Sequence, residues 1–244
     1  MMSERHGTYR CYFPDAPSQK DLRAALLPDP DRLLERGECI SSGREGNPRH
    51  LAKVAINGRA YLLKRYDCQG AFYRIKNVFR ASRALRSLRA GQWLHSVGVS
   101  TPEPLACLEE RQAGLLGRSY LLCPFLEGVR PLLAVWPELD AEGRWLYLRR
   151  LGGIMGRLHR AHIVHGDSNW RNILVGENRP GELRFWLVDL DCTRRYPRLA
   201  PARAERDIGH FLRDLSRSGA GAECMQLFRH HWQVALTNNQ GDIR

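Results

Sequence analysis

The order of sequence patterns predicts an α+β fold with a small sheet-rich N-terminal lobe and a mainly helical C-terminal lobe. Three observations carry this. Residues 50–66 read as a hairpin, residues 105–109 and 119–126 as two further strands, and the chain after Pro137 as predominantly helical. Strands come first and helices second, the order of an α+β protein rather than of alternating βαβ units. At 244 residues, 43% hydrophobic and 26% charged, the chain suits one bilobal domain with a sizeable core. The expected division is an N-terminal extension and lobe over 1–125, followed by a C-terminal lobe over 126–244.

Each element follows from local chemistry. Residues 1–36 are hard to read, but Ser18 to Asp21 fits a capping box, with a short helix through Leu27 that Pro28 stops. HLAKVAI (50–56) alternates roughly, Asn57-Gly58 is a strong hairpin turn, and RAYLLKRY (59–66) returns as its partner. This places Lys64 inside a strand. Residues 71–96 contain no acid, yet include Arg74, Lys76, Arg80, Arg83, Arg86 and Arg89. Leu85, Leu88, Trp93 and Leu94 mark the apolar face of a helix there, which Gly98 and Pro102 end. Leu148, Leu151, Met155 and Leu158 repeat at helical spacing on a long helix running to about His162. A compact block, IVHGDSNWRNILV (163–175), then a turn region and the apolar strand LRFWLVDLD (183–191) follow.

Charge and cysteines narrow the setting. Lys plus Arg is 38 against 26 Asp plus Glu, a balance of +12 that favours anionic partners such as nucleic acid, phosphorylated sugars or anionic lipid. The basic stretch carries no recognised nucleic-acid-binding motif, so no nucleic acid is expected. Seven cysteines stand singly without a CxxC pair, as free thiols in a reducing compartment do. No apolar run reaches membrane-spanning length, and the start MMSERHGTYRCYF lacks the apolar core of a signal peptide. A cytoplasmic protein is expected.

The chemistry sits in the compact block. His165-Gly166-Asp167 is followed by Asn172 five residues after the aspartate, and Asp189 ends an apolar strand 17 residues beyond Asn172. This is the order of a kinase catalytic loop and its metal-binding aspartate. Phosphoryl transfer asks for these groups: a carboxylate that meets the acceptor hydroxyl, and an amide oxygen and second carboxylate that hold magnesium against the phosphates. A hairpin between two short strands would bring Asp167, Asn172 and Asp189 together. Lys64 is the fourth member, on the strand where a kinase keeps the lysine for the α- and β-phosphates. Gly43 and Gly46 in SSGREGNPR (41–49) would let main chain approach ATP phosphates, although the segment is not GxGxxG. His165 reads as a brace for the loop.

At these residues the chain resembles the bacterial lipopolysaccharide core kinases, the Kdo and heptose kinases, which are distantly protein-kinase-like. The resemblance covers roughly residues 40–215 and includes LLKRY around Lys64, SRALRSLRAGQWLHSVGVSTPEPL (82–105), SYLLCPFLEG (119–128), HGDSNWRNILV, LVDLDCTRR (187–195) and ERDIGHFLRDL (205–215). It implies Asp167 as catalytic base, Asn172 and Asp189 as magnesium ligands, and Lys64 on the ATP phosphates. It also implies a hinge at 120–124, with Cys123 and Phe125 toward adenine. The implied acceptor is a heptose hydroxyl of the lipopolysaccharide inner core on lipid A, met at the anionic cytoplasmic face of the inner membrane by a peripherally associated enzyme. Three features depart from protein kinases. Asp189-Leu190-Asp191 replaces DFG, as also in the resembled family. Helix 82–96 has no glutamate for Lys64, and Asn169 stands where many kinases have lysine. The alternatives are a kinase for an aminoglycoside or a protein, and an inactive kinase-like binding module. The basic charge and the lack of an APE motif argue against the first, and the intact base and metal groups against the second.

Overall fold

The computed structural model describes residues 3–14, 20–41, 49–68, 80–177, 179 and 181–238. These fall into two compact units: residues up to Gln92 with Pro102–Leu126, and Trp93–Thr101 with Glu127 onward.

The first unit is built on a seven-stranded antiparallel sheet. Its strands are β1 (Ser3–His6), β2 (Tyr9–Tyr12), β3 (Glu38–Ser41), β4 (Arg49–Ile56), β5 (Arg59–Tyr66), β6 (Ala106–Gln112) and β7 (Leu115–Pro124), in the spatial order β1-β2-β6-β7-β5-β4-β3. The expected hairpin is β4–β5, with Ile56 opposite Arg59 and both Asn57 (φ 49°) and Gly58 (φ 75°) left-handed, as a type I′ turn requires. Among the described residues three helices accompany the sheet, where two were expected: α1 (Lys20–Leu26), α2 (Pro30–Glu35) and α3 (Arg83–Ser96). Leu22, Leu26 and Leu34 of α1 and α2 pack with Ala52, Val54, Leu63, Leu108 and Leu122 on one sheet face. Ala84, Leu85 and Leu88 of α3 pack with Tyr66, Cys107, Leu121 and Cys123 on the other. Helix α1 ends just before Pro28 as expected; Ser18 of the expected capping box lies outside the described residues. Asp29 caps α2 by accepting from the main-chain N–H groups of Asp31 and Arg32, with Pro30 at the first helical position.

Polar pins fix these helices. Asp31 of α2 accepts from Tyr120 Oη at 2.9 Å and from Arg65 at 3.1 Å, and also pairs with Arg118. Glu109, fully buried on β6, accepts from the Ser82 N–H at 2.8 Å and Arg111 Nε at 3.0 Å. That contact, with Ser82 Oγ accepting from the Leu85 N–H, satisfies donors at the start of α3.

The second unit holds α4 (Leu132–Val135), α5 (Ala141–Arg160), α6 (Pro201–Arg217) and α7 (Ala222–Thr237). It also holds five short strands: β8 (Arg130–Pro131), β9 (Ile163–Val164), β10 (Ile173–Glu177), β11 (Leu183–Leu187) and β12 (Arg194–Arg195). Leu148, Leu151, Met155 and Leu158 are all buried, as their spacing predicts. Helices α5 and α7 touch main chain to side: a Cβ on Gly152 would stand 2.7 Å from the Phe228 carbonyl oxygen, and one on Gly156 2.5 Å from that of Trp232. β10 and β11 form the expected hairpin, with Ile173 opposite Leu187. The strand stops at Leu187, short of the expected Asp191, because Asp189 turns left-handed and a 3₁₀ turn follows at Leu190–Cys192.

Candidate active site

The catalytic-loop residues are placed by two small ladders and one buried carboxylate. β9 pairs with β12 (Val164 opposite Arg194), delivering the chain to His165. Gly166 then takes φ 86°, and a Cβ there would lie 2.7 Å from the Cys192 carbonyl oxygen, so only glycine fits both the angle and the space. Asp207 of α6, 2% exposed, accepts the His165 N–H at 2.8 Å and the Gly166 N–H at 2.7 Å. The same carboxylate meets His159 Nε2 at 3.0 Å, and His159 Nδ1 accepts from Trp232 Nε1 at 2.8 Å. The Trp232 donation leaves Nδ1 unprotonated, so Nε2 carries the proton and donates to Asp207. Burial acts to raise the Asp207 carboxyl, but the His159 hydrogen bond and the Gly166 N–H act the other way, and the carboxyl is held below the ordinary carboxylate range. Further along the loop, Ser168 Oγ donates to the Asp207 carbonyl at 2.6 Å and the Trp170 N–H to Asp214 at 2.9 Å.

This clamp presents Asp167. Its carboxylate Oδ1 accepts from Asn169 Nδ2 at 2.7 Å and Oδ2 from Asn172 Nδ2 at 3.0 Å. Asn172 Nδ2 also donates to the Asp167 carbonyl at 2.9 Å. The Val188 N–H donates to the Asn172 carbonyl at 2.9 Å, tying the start of one hairpin arm to the end of the other. Asp189 comes next, at φ 63° and ψ 54°, an uncommon conformation for a residue with a Cβ. The structure thus brings Asp167, Asn172 and Asp189 together through the expected hairpin.

His165 braces from inside. It is fully buried, its Nδ1 accepts the Asp167 N–H at 3.3 Å, and its carbonyl accepts from Thr193 Oγ1 at 3.0 Å. Burial pushes its imidazole below the ordinary histidine range, opposed by Asp207, Asp167 and Asp189. A neutral ring is what an acceptor Nδ1 requires.

In the first unit, Lys64 lies opposite Leu121 on β7, and Cys123 opposite Leu62. The pleat puts Lys64 and Cys123 on one sheet face. The Lys64 ammonium sits 4.9 Å from the Tyr66 ring centroid. Burial pushes the Cys123 thiol up to about 12, with the Lys64 charge acting the other way. Phe125 continues the edge, its N–H donating to the Ala60 carbonyl at 3.1 Å and its ring lying 4.4 Å from the Lys53 ammonium. Helix α3 has no acid, as read from the sequence. Gly43 and Gly46 lie outside the described residues.

Sequence reasoning missed Asp207, Asp214 and His159 as site-building residues. Their signal was present as the acids and histidine of ERDIGHFLRDL and GRLHR, but nothing local says that these side chains reach the loop.

Comparisons with known proteins give the family and the fold. Residues 41–236 match the lipopolysaccharide kinase (Kdo/WaaP) family. A 3-deoxy-D-manno-octulosonic acid kinase of Vibrio cholerae is 30% identical over 195 residues, covering 73% of this chain and 78% of that one. One from Pasteurella multocida is 26% identical over 172 residues, covering 69% and 68%. One from Mannheimia succiniciproducens is 34% identical over 100 residues, a match that spans only 40% of either chain. Among solved structures, WaaP in complex with acyl carrier protein has the same fold, with TM-score 0.68 at 18% identity over 92% of this chain and 88% of that one. The chain belongs to the lipopolysaccharide kinase (Kdo/WaaP) family.

Proposed function

We propose that this chain is an ATP-dependent kinase that transfers the γ-phosphoryl group to a sugar hydroxyl of the lipopolysaccharide inner core, with an octulosonic acid as the preferred acceptor. One observation carries the reading. The Asp167 carboxylate is held by two amides of its own loop, while that loop's main chain rests on the buried Asp207. A carboxylate so positioned accepts or orients the proton of an attacking hydroxyl, the one acid–base task in a reaction that is otherwise positioning and charge neutralisation.

Magnesium fits the donors present. Asn172 offers Oδ1, because its Nδ2 is spent on Asp167, and Asp189 offers a carboxylate from the left-handed turn directly after the hairpin. Among the described residues no cluster of three or more His, Cys, Asp or Glu could form a cage by itself. Magnesium bound beside nucleotide phosphates needs none, since it takes one or two protein oxygens and fills its octahedron with phosphate oxygens and water. MgATP supplies the phosphoryl group and most of the charge neutralisation. Lys64 would hold the α- and β-phosphates, and Cys123 and Phe125 would border adenine; Gly43 and Gly46, expected near the phosphates from the sequence, lie outside the described residues.

The octulosonic acid takes precedence over the heptose expected from the sequence because the relatives above are named for it. The test is to incubate purified protein with labelled ATP, magnesium and lipid A precursors carrying either sugar, and to locate new phosphate by mass spectrometry. Label on the octulosonic acid supports the reading; label on heptose alone reassigns the acceptor; label on neither overturns it. Among the described residues no helix is long and apolar enough to cross a membrane. We place the enzyme peripherally on the anionic leaflet that holds its acceptor, with Arg80 and Arg89 exposed for that contact and Arg83 stacked 5.2 Å from the Tyr66 ring centroid. Salt-sensitive co-sedimentation with anionic but not neutral vesicles supports that placement, and its absence refutes it.

A further inference from the structure

A cavity of about 670 Å³ opens beside the catalytic loop within the second unit. Asn169, Trp170 and Arg171 of the loop form one wall, and Arg144 and Arg217 come from α5 and α6. Three arginines therefore face one lining carboxylate, Asp214. Asp214 is already committed, accepting the Trp170 N–H at 2.9 Å with Arg217 3.9 Å away. Arg144 lies 5.6 Å from the Trp136 ring centroid, and its buried Nε has no hydrogen-bond partner within the protein. The buried Trp170 Nε1 is likewise unsatisfied. Arg171 is exposed, and the Arg217 side chain is 74% exposed. The cavity wall also touches the reaction: Asn169, which lines it, donates to Asp167 Oδ1 at 2.7 Å.

We propose that this cavity seats the anionic group of the acceptor, a sugar carboxylate or an adjoining phosphate, and that Arg144, Arg171 and Arg217 determine specificity for acidic over neutral saccharides. The inference rests on the sugar-kinase reading above and names the acceptor chemistry of that same site. Guanidinium forks match planar carboxylate and phosphate oxygens in paired hydrogen bonds, and a cation stacked on an indole is held in place for them. An excess of arginine with its one carboxylate occupied leaves room for a negative ligand and repels a cationic one. The link through Asn169 makes the site selective at the right place, because an anion bound there sets the acceptor against the loop that carries the base.

The test is calorimetric titration, without nucleotide, of a deacylated lipid A disaccharide bearing octulosonic acid. Its carboxyl-reduced and dephosphorylated forms are titrated in parallel. Wild type is compared with Arg171→Gln/Arg217→Gln, whose side chains are exposed, and separately with Arg144→Gln after its melting temperature is checked. The proposal expects at least tenfold weaker binding by the double variant. It also expects that loss to vanish on whichever modified ligand lacks the contacted anion, which tells carboxylate from phosphate. Equal binding by wild type and the double variant overturns it, as does a loss of the same size on all three ligands. Because no turnover is measured, failure of phosphoryl transfer in the parallel labelling assay refutes the kinase reading alone.

Discussion

Asn172 Nδ2 donates to both the carbonyl and the carboxylate of Asp167, at 2.9 and 3.0 Å. The amide proposed to offer its oxygen to a metal therefore also sets the direction of the proposed base. The main chain that carries Asp167 is in turn held from α6, where Asp207 accepts the His165 and Gly166 N–H groups.

Asp207→Ala removes the acceptor of the His165 and Gly166 N–H groups and of His159 in one step. Breaking a buried charge-assisted network costs about 3–5 kcal/mol. Loss of loop placement costs about 100-fold in rate. Thermal melts and assays below the variant's melting temperature check both. A variant as stable and active as wild type would show that Asp207 is not the clamp.

Asp189→Asn is expected to weaken magnesium-dependent ATP binding more than Asp191→Asn. Asp189 is half-buried in the left-handed turn directly after the hairpin, whereas Asp191 is 3% exposed within the following 3₁₀ turn. Titration of MgATP against both variants decides between them, and a larger loss at Asp191 makes it the ligand.

Burial lowers the folded-state pKa of His165. The unfolded chain, with its histidine near about 6.5, then binds more protons below that pH. This part of the stability is complete above about 6.5 and is lost as pH falls below it. The depressed Asp207 adds its loss only as pH drops through the carboxylate range, from about 3.9 downward. Melting temperature should fall between pH 7 and 5, and His165→Asn should flatten that fall. Some slope remains from His231, whose pKa burial also lowers. An unchanged slope would mean that His165 is not buried neutral.

Much of this was legible in the sequence. Asn57-Gly58 announced its hairpin because few residue pairs accept two left-handed angles, and the Leu148 to Leu158 spacing named the core of α5. Asp167, Asn172 and Asp189 could be grouped because hydrophobic strands of the right length separate them. Asp207 could not, because its work is to accept N–H groups 41 and 42 residues earlier in the chain, and a carboxylate on a helix carries no local mark of such a partner. The other N-terminal elements were illegible for another reason: β1 and β2 have four residues each and α2 six, too short for a period to emerge. The arginine cavity was hidden because Arg144, Arg171 and Arg217 converge only in three dimensions.

The measurement that bears most directly on the account is phosphoryl transfer by Asp167→Ala in a magnesium-saturated assay on the octulosonic acid acceptor. In the proposed role the carboxylate takes part only as base and orienter, so the variant should keep its fold and its MgATP affinity while its rate falls about 10²–10⁴-fold. A folded, nucleotide-binding variant whose rate stays within a few-fold of wild type would contradict the assignment.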